Sequence, residues 1–368
     1  MKVVIAAAGT GGHINPGIAI ANKIMKEEPN SKIIFIGTAR GLETNLVPRA
    51  GYELKTIDSY GISRELSIKN VKRLAKTIHS ITEAKNILKE FKPDLVIGTG
   101  GYICISVCIA AKKLKIPYII HESNVLPGVA TKMLSKKAEK ILVGFKEAKD
   151  RLPKAKEIVY TGTPTKVKKL NLTKAEINSK KQELGFLKEK PLVLVFGGSQ
   201  GAQSINKSMT DIIKNKMNTN YQIIWAAGPE QYEKVKQDLL KENMDIDKIN
   251  GIKVMPYIYN MEEIMNIADL IVSRSGAMTV TEIENVGKPA IFIPFPFAAE
   301  NHQEYNARVL EKQNAAKVIL DKSLTAELLN ATIGELTKDR KILEQMGANA
   351  HKLSIENVED KIYNELKM

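Results

Sequence analysis

Residues 2–13 read Lys2-Val3-Val4-Ile5-Ala6-Ala7-Ala8-Gly9-Thr10-Gly11-Gly12-His13. The apolar run Val3 to Ala8 is too short for a buried helix, so it predicts a fully buried strand over Lys2–Ala7. A glycine-dense turn follows, and Asn15-Pro16 then opens a helix at Gly17-Ile18-Ala19. Glycine lets the backbone come close to a ligand and turn its N–H groups outward, and the helix adds its positive end. Thr10, Gly11 and Gly12 are therefore candidates for holding a phosphate. His13, at the tip of the loop, is the best general-base candidate among the five histidines, because imidazole titrates near neutral pH.

The same unit recurs along the chain. Strand candidates in the first half are Lys2–Ala7, Lys32–Gly37, Asp94–Gly98, Pro117–His121 and Lys140–Val143. The second half offers Pro191–Phe196, Tyr221–Ala226, Gly251–Met255, Asp269–Val272 and Pro289–Ile293. Helical patterns separate most neighbours, which is the βαβ signature of a parallel sheet covered on both faces. A lysine-rich stretch, 161–190, divides the series and contains the hinge candidate Thr161-Gly162-Thr163-Pro164. The chain thus reads as α/β, two doubly wound Rossmann-like domains facing across a cleft, with ligands bound beyond the strand C-termini.

Three more strand-to-helix junctions stand out. Thr99-Gly100-Gly101-Tyr102 follows the strand ending at Gly98, and Gly197-Gly198-Ser199-Gln200-Gly201-Ala202 follows the strand ending at Phe196. None of these loops has the glycine spacing of a dinucleotide fingerprint or the Gly-Lys-Ser/Thr end of a P-loop. For any single loop, glycines that merely tighten a turn remain the competing reading. The last junction, Ser273-Arg274-Ser275-Gly276-Ala277-Met278-Thr279, gathers a cation, hydroxyls and a helix start. A diphosphate suits its first turn, and Glu282 lies within reach of a ribose diol. A structural ion pair for Arg274 or Glu282 stays open. Asn301-His302-Gln303 follows the stiff Pro294-Phe295-Pro296-Phe297 and suits either sugar hydroxyls or helix capping. His121, Glu122 and Asn124 end another strand and are candidates for lining the cleft. No Asp-x-Asp pair has metal-ligand placement, so neither an essential metal nor a cofactor is expected.

Composition narrows the class. With 368 residues, 43% hydrophobic and 26% charged, two ordinary globular cores are expected. The net charge of +14 points to an anionic partner. Only 5% of residues are aromatic and no recognition motif accompanies the lysines, which argues against nucleic acid. Cys104 and Cys108 read as small buried residues. Glycines 98, 100 and 101 break the uncharged run Leu95–Ala111 into strand, loop and helix rather than a membrane span. With no export signal, a cytoplasmic location is expected.

Four motifs, taken together, resemble those of the MurG family of N-acetylglucosaminyltransferases of peptidoglycan synthesis. They are Gly-Thr-Gly-Gly-His at 9–13, His-Glu-x-Asn at 121–124, Gly-Gly-Ser-Gln-Gly-Ala at 197–202 and Arg-Ser-Gly-Ala-x-Thr at 274–279. The likeness runs from the first strand to the last helices. It implies a GT-B fold and inverting transfer from UDP-N-acetylglucosamine to the muramoyl C4 hydroxyl of undecaprenyl-diphospho-muramoyl-pentapeptide, lipid I. It implies that Ser199, with Gln200 and Gly201, contacts the donor diphosphate beside Ala277, Met278 and Thr279. The Ile258 backbone would read uracil, Glu282 would take the ribose, and His302 and Gln303 would meet the sugar. Thr10, Gly11, Gly12 and Asn124 match substrate-binding positions, and Gly100-Gly101-Tyr102 would serve the acceptor diphosphate. Lys166 stands where some members carry an arginine. The implied division is 1–163 for an acceptor-binding, membrane-facing domain and 164–345 for the donor domain, with 346–368 returning to the first.

The amphipathic stretch Leu66–Phe91 places Val71, Leu74, Ile78, Ile81, Leu88 and Phe91 near one face. Lys69, Lys72, Arg73, Lys76, Lys85 and Lys89 supply positive charge on the rest. A core-packed helix with a solvated basic face is one reading. Docking to an anionic membrane surface, as a peripheral protein of the cytoplasmic face, is the other. Different activities on the same fold, a lipid-sugar synthase or a UDP-N-acetylglucosamine 2-epimerase, are the competing enzyme classes.

Overall fold

The computed structural model describes residues 1–60 and 68–367, the side chains of 68–78 excepted. Its contacts divide the chain into two units, Met1–Thr165 with Ile355–Met368, and Lys166–Ser354. The first holds seven strands: β1 (Lys2–Ala7), β2 (Lys32–Gly37), β3 (Glu53–Thr56), β4 (Leu95–Gly100), β5 (Tyr118–Glu122), β6 (Lys140–Val143) and β7 (Ile158–Tyr160). They pair all-parallel in the order β3-β2-β1-β4-β5-β6-β7. The second holds β8 (Leu192–Phe196), β9 (Gln222–Ala226), β10 (Ile252–Met255), β11 (Leu270–Ser273), β12 (Ala290–Phe292) and β13 (Ala316–Val318), ordered β10-β9-β8-β11-β12-β13 and again parallel.

Central strands are apolar along most of their length, as Val3 to Ala7 and Leu192–Phe196 show, because both faces are covered by helices. Along β1, Val4 and Ala6 face one core while Val3, Ile5 and Ala7 face the other. In the second unit Val193, Val195 and Val272 pack with Trp225, whose indole donates to Asn206 at 3.2 Å. Cys104 and Cys108 are buried in the first unit. The Leu95–Ala111 run divides into β4 and the helix Ile103–Lys113. Among the described residues, no helix is long and apolar enough to cross a membrane.

The structure departs from the sequence expectations in several places. β3, β7 and β13 were not foreseen; each is only three or four residues long and lies at a sheet edge, and β3 is mostly exposed. The first helix begins at Gly11, not Gly17, and runs to Glu27 with Pro16 inside it. Pro16 lies beyond the first turn, so the helix forgoes the N–H bond to the Gly12 carbonyl there. The return to the first unit starts at Ile355 rather than 346. The helix Arg340–His351 stays with the second unit because Leu343 and Met346 belong to its core. The helix Val358–Leu366 then buries Val358, Ile362, Tyr363 and Leu366 against the helix Gly11–Glu27. The stretch expected over Leu66–Phe91 is a helix over Ile68–Phe91, with Leu88 buried and Lys89 exposed. Leu66, and the side chains of Lys69, Val71, Lys72, Arg73, Leu74, Lys76 and Ile78, lie outside the described residues.

Candidate active site

In each unit the strand order reverses once, between β1 and β4 and between β8 and β11. Connections leave such a point toward opposite faces of the sheet, which opens a crevice at the strands' C-terminal ends. The four junctions singled out from sequence are the C-terminal ends of these four strands. Backbone topology therefore brings the loops together in two pairs, one in each unit.

In the first unit, Gly9 has φ +95°, a left-handed conformation that aims the chain into the helix Gly11–Glu27. Thr10 caps this helix with its carbonyl, accepting from His13 N–H at 3.0 Å and Ile14 N–H at 3.2 Å. The amides of Gly11 and Gly12 are thus the first-turn donors available to a ligand. Glu43, unsuspected from sequence, is fully buried beneath the loop. Its Oε2 accepts Gly9 N–H at 2.9 Å, and its Oε1 accepts the Thr38 amide at 2.9 Å and the Thr38 hydroxyl at 2.6 Å. Burial opposes the charge, but the Thr38 hydroxyl and these amides prevail and hold the carboxyl below its ordinary range.

β4 ends in an irregularity: Ala6 pairs with Gly98 and Ala7 with Gly100, so Thr99 is extra. The Thr99 hydroxyl donates to the His13 carbonyl at 2.8 Å. A Cβ on Gly100 would lie 2.4 Å from the His13 ring, and one on Gly101 would lie 2.6 Å from the Ala8 carbonyl oxygen. Two glycines thus make room for the imidazole between the strand ends. Its Nδ1 stands 3.1 Å from the Ala8 carbonyl, which can only accept. Nδ1 therefore carries the proton and the basic lone pair resides on Nε2. Tyr102 caps the next helix, and Cys104, whose thiol burial pushes up to about 12, donates to the Gly100 carbonyl at 3.2 Å.

Two neighbours do not fit the expectation. His121 is buried, not lining a cleft: its ring lies 3.0 Å from the Gly162 carbonyl, and burial lowers its pKa. Glu122 is occupied within its own loop. Its carboxylate accepts from Asn124 N–H at 3.0 Å, Asn124 Nδ2 at 3.1 Å, Gly128 N–H at 3.0 Å and Thr131 Oγ1 at 2.6 Å. It shapes the loop that presents Asn124.

In the second unit, Gly198 and Gly201 have φ of +90° and +79°. A Cβ on Gly201 would stand 2.1 Å from the Ala227 carbonyl oxygen, so the Ser199 loop lies flat against the end of β9. Ser199 and Gln200 are exposed beside the helix Gln203–Lys214. After β11, Gly276 leads into the helix Ala277–Val286, whose first turn carries no acidic residue and no side-chain cap. Ala277, Met278 and Thr279 therefore offer N–H groups at a helix start. Glu282 is half-buried one turn on, and Ile258 is buried in the loop after β10.

Arg274 forms the structural ion pair that the sequence left open. Its guanidinium donates to the carbonyls of Ile293 at 3.0 Å and Pro294 at 3.1 Å, to Ser204 Oγ at 3.0 Å and to Asp321 Oδ2 at 2.5 Å. It fastens the loop after β11 to the loop after β12. Ser275 strengthens the same seam by donating to the Gln303 carbonyl at 2.8 Å, and the Phe295 amide donates to Gln303 Oε1 at 3.0 Å. The Gln303 side-chain oxygen is thus engaged by its own loop, while His302 Nδ1 lies 2.8 Å from the Ala299 carbonyl. Lys166 is exposed at the start of the second unit. Among the described residues, no group of three or more His, Cys, Asp or Glu converges as a metal site requires.

Residues 3–143 match the glycosyltransferase family 28 N-terminal domain, and residues 192–362 the glycosyltransferase family 28 C-terminal domain. The chain is 43% identical over 368 residues to the UDP-N-acetylglucosamine–N-acetylmuramyl-(pentapeptide) pyrophosphoryl-undecaprenol N-acetylglucosamine transferase of Acetivibrio thermocellus, covering 100% of this chain and 98% of that one. It is 45% identical over 367 residues to the transferase of the same name from Thermoanaerobacter, covering 100% and 99%. The crystal structure of Acinetobacter baumannii MurG superposes with a TM-score of 0.80 at 28% identity, covering 100% of this chain and 99% of that one.

Proposed function

The chain belongs to glycosyltransferase family 28, and from that premise we propose that it is the N-acetylglucosaminyltransferase that converts lipid I to lipid II in peptidoglycan synthesis. Two doubly wound α/β units make up its GT-B fold. The observation that carries the site reading is the pairing of N–H-rich loops at each topological switch point, which suits one diphosphate in each unit.

In this reading the second unit holds UDP-N-acetylglucosamine. The amides of Ser199, Gln200 and Gly201 and of Ala277, Met278 and Thr279 take the diphosphate, the Ile258 backbone reads uracil, and Glu282 takes the ribose. His302 and the amide nitrogen of Gln303 meet the sugar. The first unit takes the acceptor, with Gly11, Gly12, Gly100 and Gly101 at its diphosphate and Thr10, Tyr102 and Asn124 around it. His13 Nε2 removes the proton of the muramoyl C4 hydroxyl. That oxygen attacks C1 of N-acetylglucosamine from the face opposite UDP, the C1–O bond to the diphosphate breaks, and UDP leaves with the electron pair. Donors fixed by the fold stabilise the charge that develops on the departing diphosphate. The basic helix Ile68–Phe91 is the element proposed to meet an anionic membrane surface from the cytoplasmic side.

The test measures UDP release from UDP-N-acetylglucosamine with and without a lipid I analogue, in the presence of EDTA. Release that requires the acceptor, survives chelation and falls by about two orders of magnitude or more in His13→Ala supports the assignment. Consumption of the donor without acceptor marks an epimerase instead. Near-normal turnover in His13→Ala removes His13 from the role of base.

A further inference from the structure

The second unit contains a cavity at the opposite end of its sheet from the glycine loops. Pro191, Asp269 and Pro289 line it, and each immediately precedes a strand, β8, β11 and β12. It therefore lies a strand's length from the loops, roughly 15 Å at about 3.3 Å per residue. Its volume of about 850 Å³ is that of a small-molecule site.

The lining is strongly basic, with nine Lys and Arg side chains against three carboxylates. Each carboxylate is already engaged. Asp269 pairs with the buried Lys181 at 2.5 Å and accepts the Leu192 amide at 2.8 Å, Glu344 pairs with Arg340 at 3.0 Å, and Glu189 stands 3.7 Å from Lys188. Among the described residues, Lys169, Lys174, Lys190, Lys288, Lys338 and Lys352 form no ion pair. Lys288 is half-buried in the lining. Burial lowers its ammonium to about 8, Asp269 acts against that shift, and Lys181, Lys169 and Arg340 add to it. Like charges held together around a recess work against the folded state, and a ligand that relieves them is anionic.

We propose that this cavity is a second, non-catalytic anion site for a free oligophosphate, lined by the half-buried Lys288 and the exposed Lys169 and Lys338. The recess, of about 850 Å³, favours a small ligand. A terminal di- or triphosphate satisfies several lysines at once, and the volume leaves room for an attached nucleoside.

The experiment titrates the full-length protein, saturated with UDP-N-acetylglucosamine, with inorganic tripolyphosphate by calorimetry, and separately with phosphatidylglycerol vesicles. The expected result is binding of tripolyphosphate with the donor site filled. That binding should weaken about tenfold or more in Lys288→Met, as befits loss of a charge-assisted bond. The exposed double variant Lys169→Ser/Lys338→Ser should weaken it likewise with Tm unchanged, which covers the case in which Lys288→Met fails to fold. Acceptor-dependent UDP release should be unaltered in that double variant. Undiminished binding in the double variant, loss of binding on donor saturation, or affinity for vesicles without affinity for tripolyphosphate would each overturn the proposal.

Discussion

Replacing Arg274 by alanine separates an anchor from a ligand contact. The guanidinium and its partner Asp321 are largely buried, with side-chain exposures of 11% and 18%. Removing it strands the Asp321 carboxylate with the Ser204 hydroxyl, which donates to it at 2.6 Å, and deprives two carbonyls of their donor. Breaking such a pair from one side costs about 3–5 kcal/mol. Partial access of water to Asp321 places the expectation near the lower figure. For a unit of this size, about 3 kcal/mol corresponds to a Tm lower by roughly 6–12 °C. Calorimetric unfolding of Arg274→Ala should show that loss, and the double variant Arg274→Met/Asp321→Leu should recover much of it, because no buried charge is then left alone. UDP titration of the same proteins completes the assay. A direct cation–diphosphate contact would be worth about 1.5–3 kcal/mol of affinity, tenfold or more. If Arg274→Ala melts like the wild type but loses UDP affinity on that scale, the assignment of Arg274 as a structural fastening is wrong.

Three further outcomes follow from particular contacts. Gly201→Ala puts a methyl 2.1 Å from the Ala227 oxygen and should raise the KM for UDP-N-acetylglucosamine, whereas Gly198→Ala, with open space around it, should show only the left-handed strain of about 1–2 kcal/mol in unfolding; equal effects would remove the clash as the cause. Glu43→Gln cannot accept from both the Thr38 and Gly9 amides without turning its NH2 toward one of them, so it should lower stability by about 1–3 kcal/mol and raise the acceptor KM; unchanged acceptor kinetics would detach Glu43 from the loop's function. His121 has an ordinary value of 6.5 that burial lowers in the fold, so below that pH the unfolded chain binds a proton that the folded chain does not. Stability should therefore decline as pH falls from 6.5 toward the folded value, and chemical unfolding of His121→Gln across that window should give a flatter profile.

The central strands were readable because a strand covered on both faces must be apolar throughout, as Val3 to Ala7 and Leu192 to Phe196 are. Glu53-Leu54-Lys55-Thr56 carries no such mark, since it lies at the edge of its sheet and is mostly exposed. The loops were readable for a similar reason: positive φ and close backbone approach demand glycine, and glycine is visible in the sequence. Side-chain roles were less legible, because they depend on partners far along the chain. Asp321 is 47 residues from Arg274 and Ser204 is 70, and nothing in the Arg274–Thr279 motif announces either. Glu43 lies 34 residues from Gly9, and only the burial of a lone carboxylate reveals it. Glu122 was chosen for its place in a motif, yet that place serves the shape of its own loop.

The closing helix Val358–Leu366 has a consequence during synthesis. Tyr363 donates to Glu28 at 2.8 Å across 335 residues, and the apolar face beside it completes a core laid down by the first helix. As the chain leaves the ribosome, the first unit has all its strands after Tyr160 but cannot cover this face until the whole of Lys166–Ser354 has been made. At about 5–20 residues per second the delay is on the order of ten seconds or more. Throughout it, the face of the helix Gly11–Glu27 that Val358–Leu366 later covers lies open, an apolar surface that a chaperone can occupy until that helix docks.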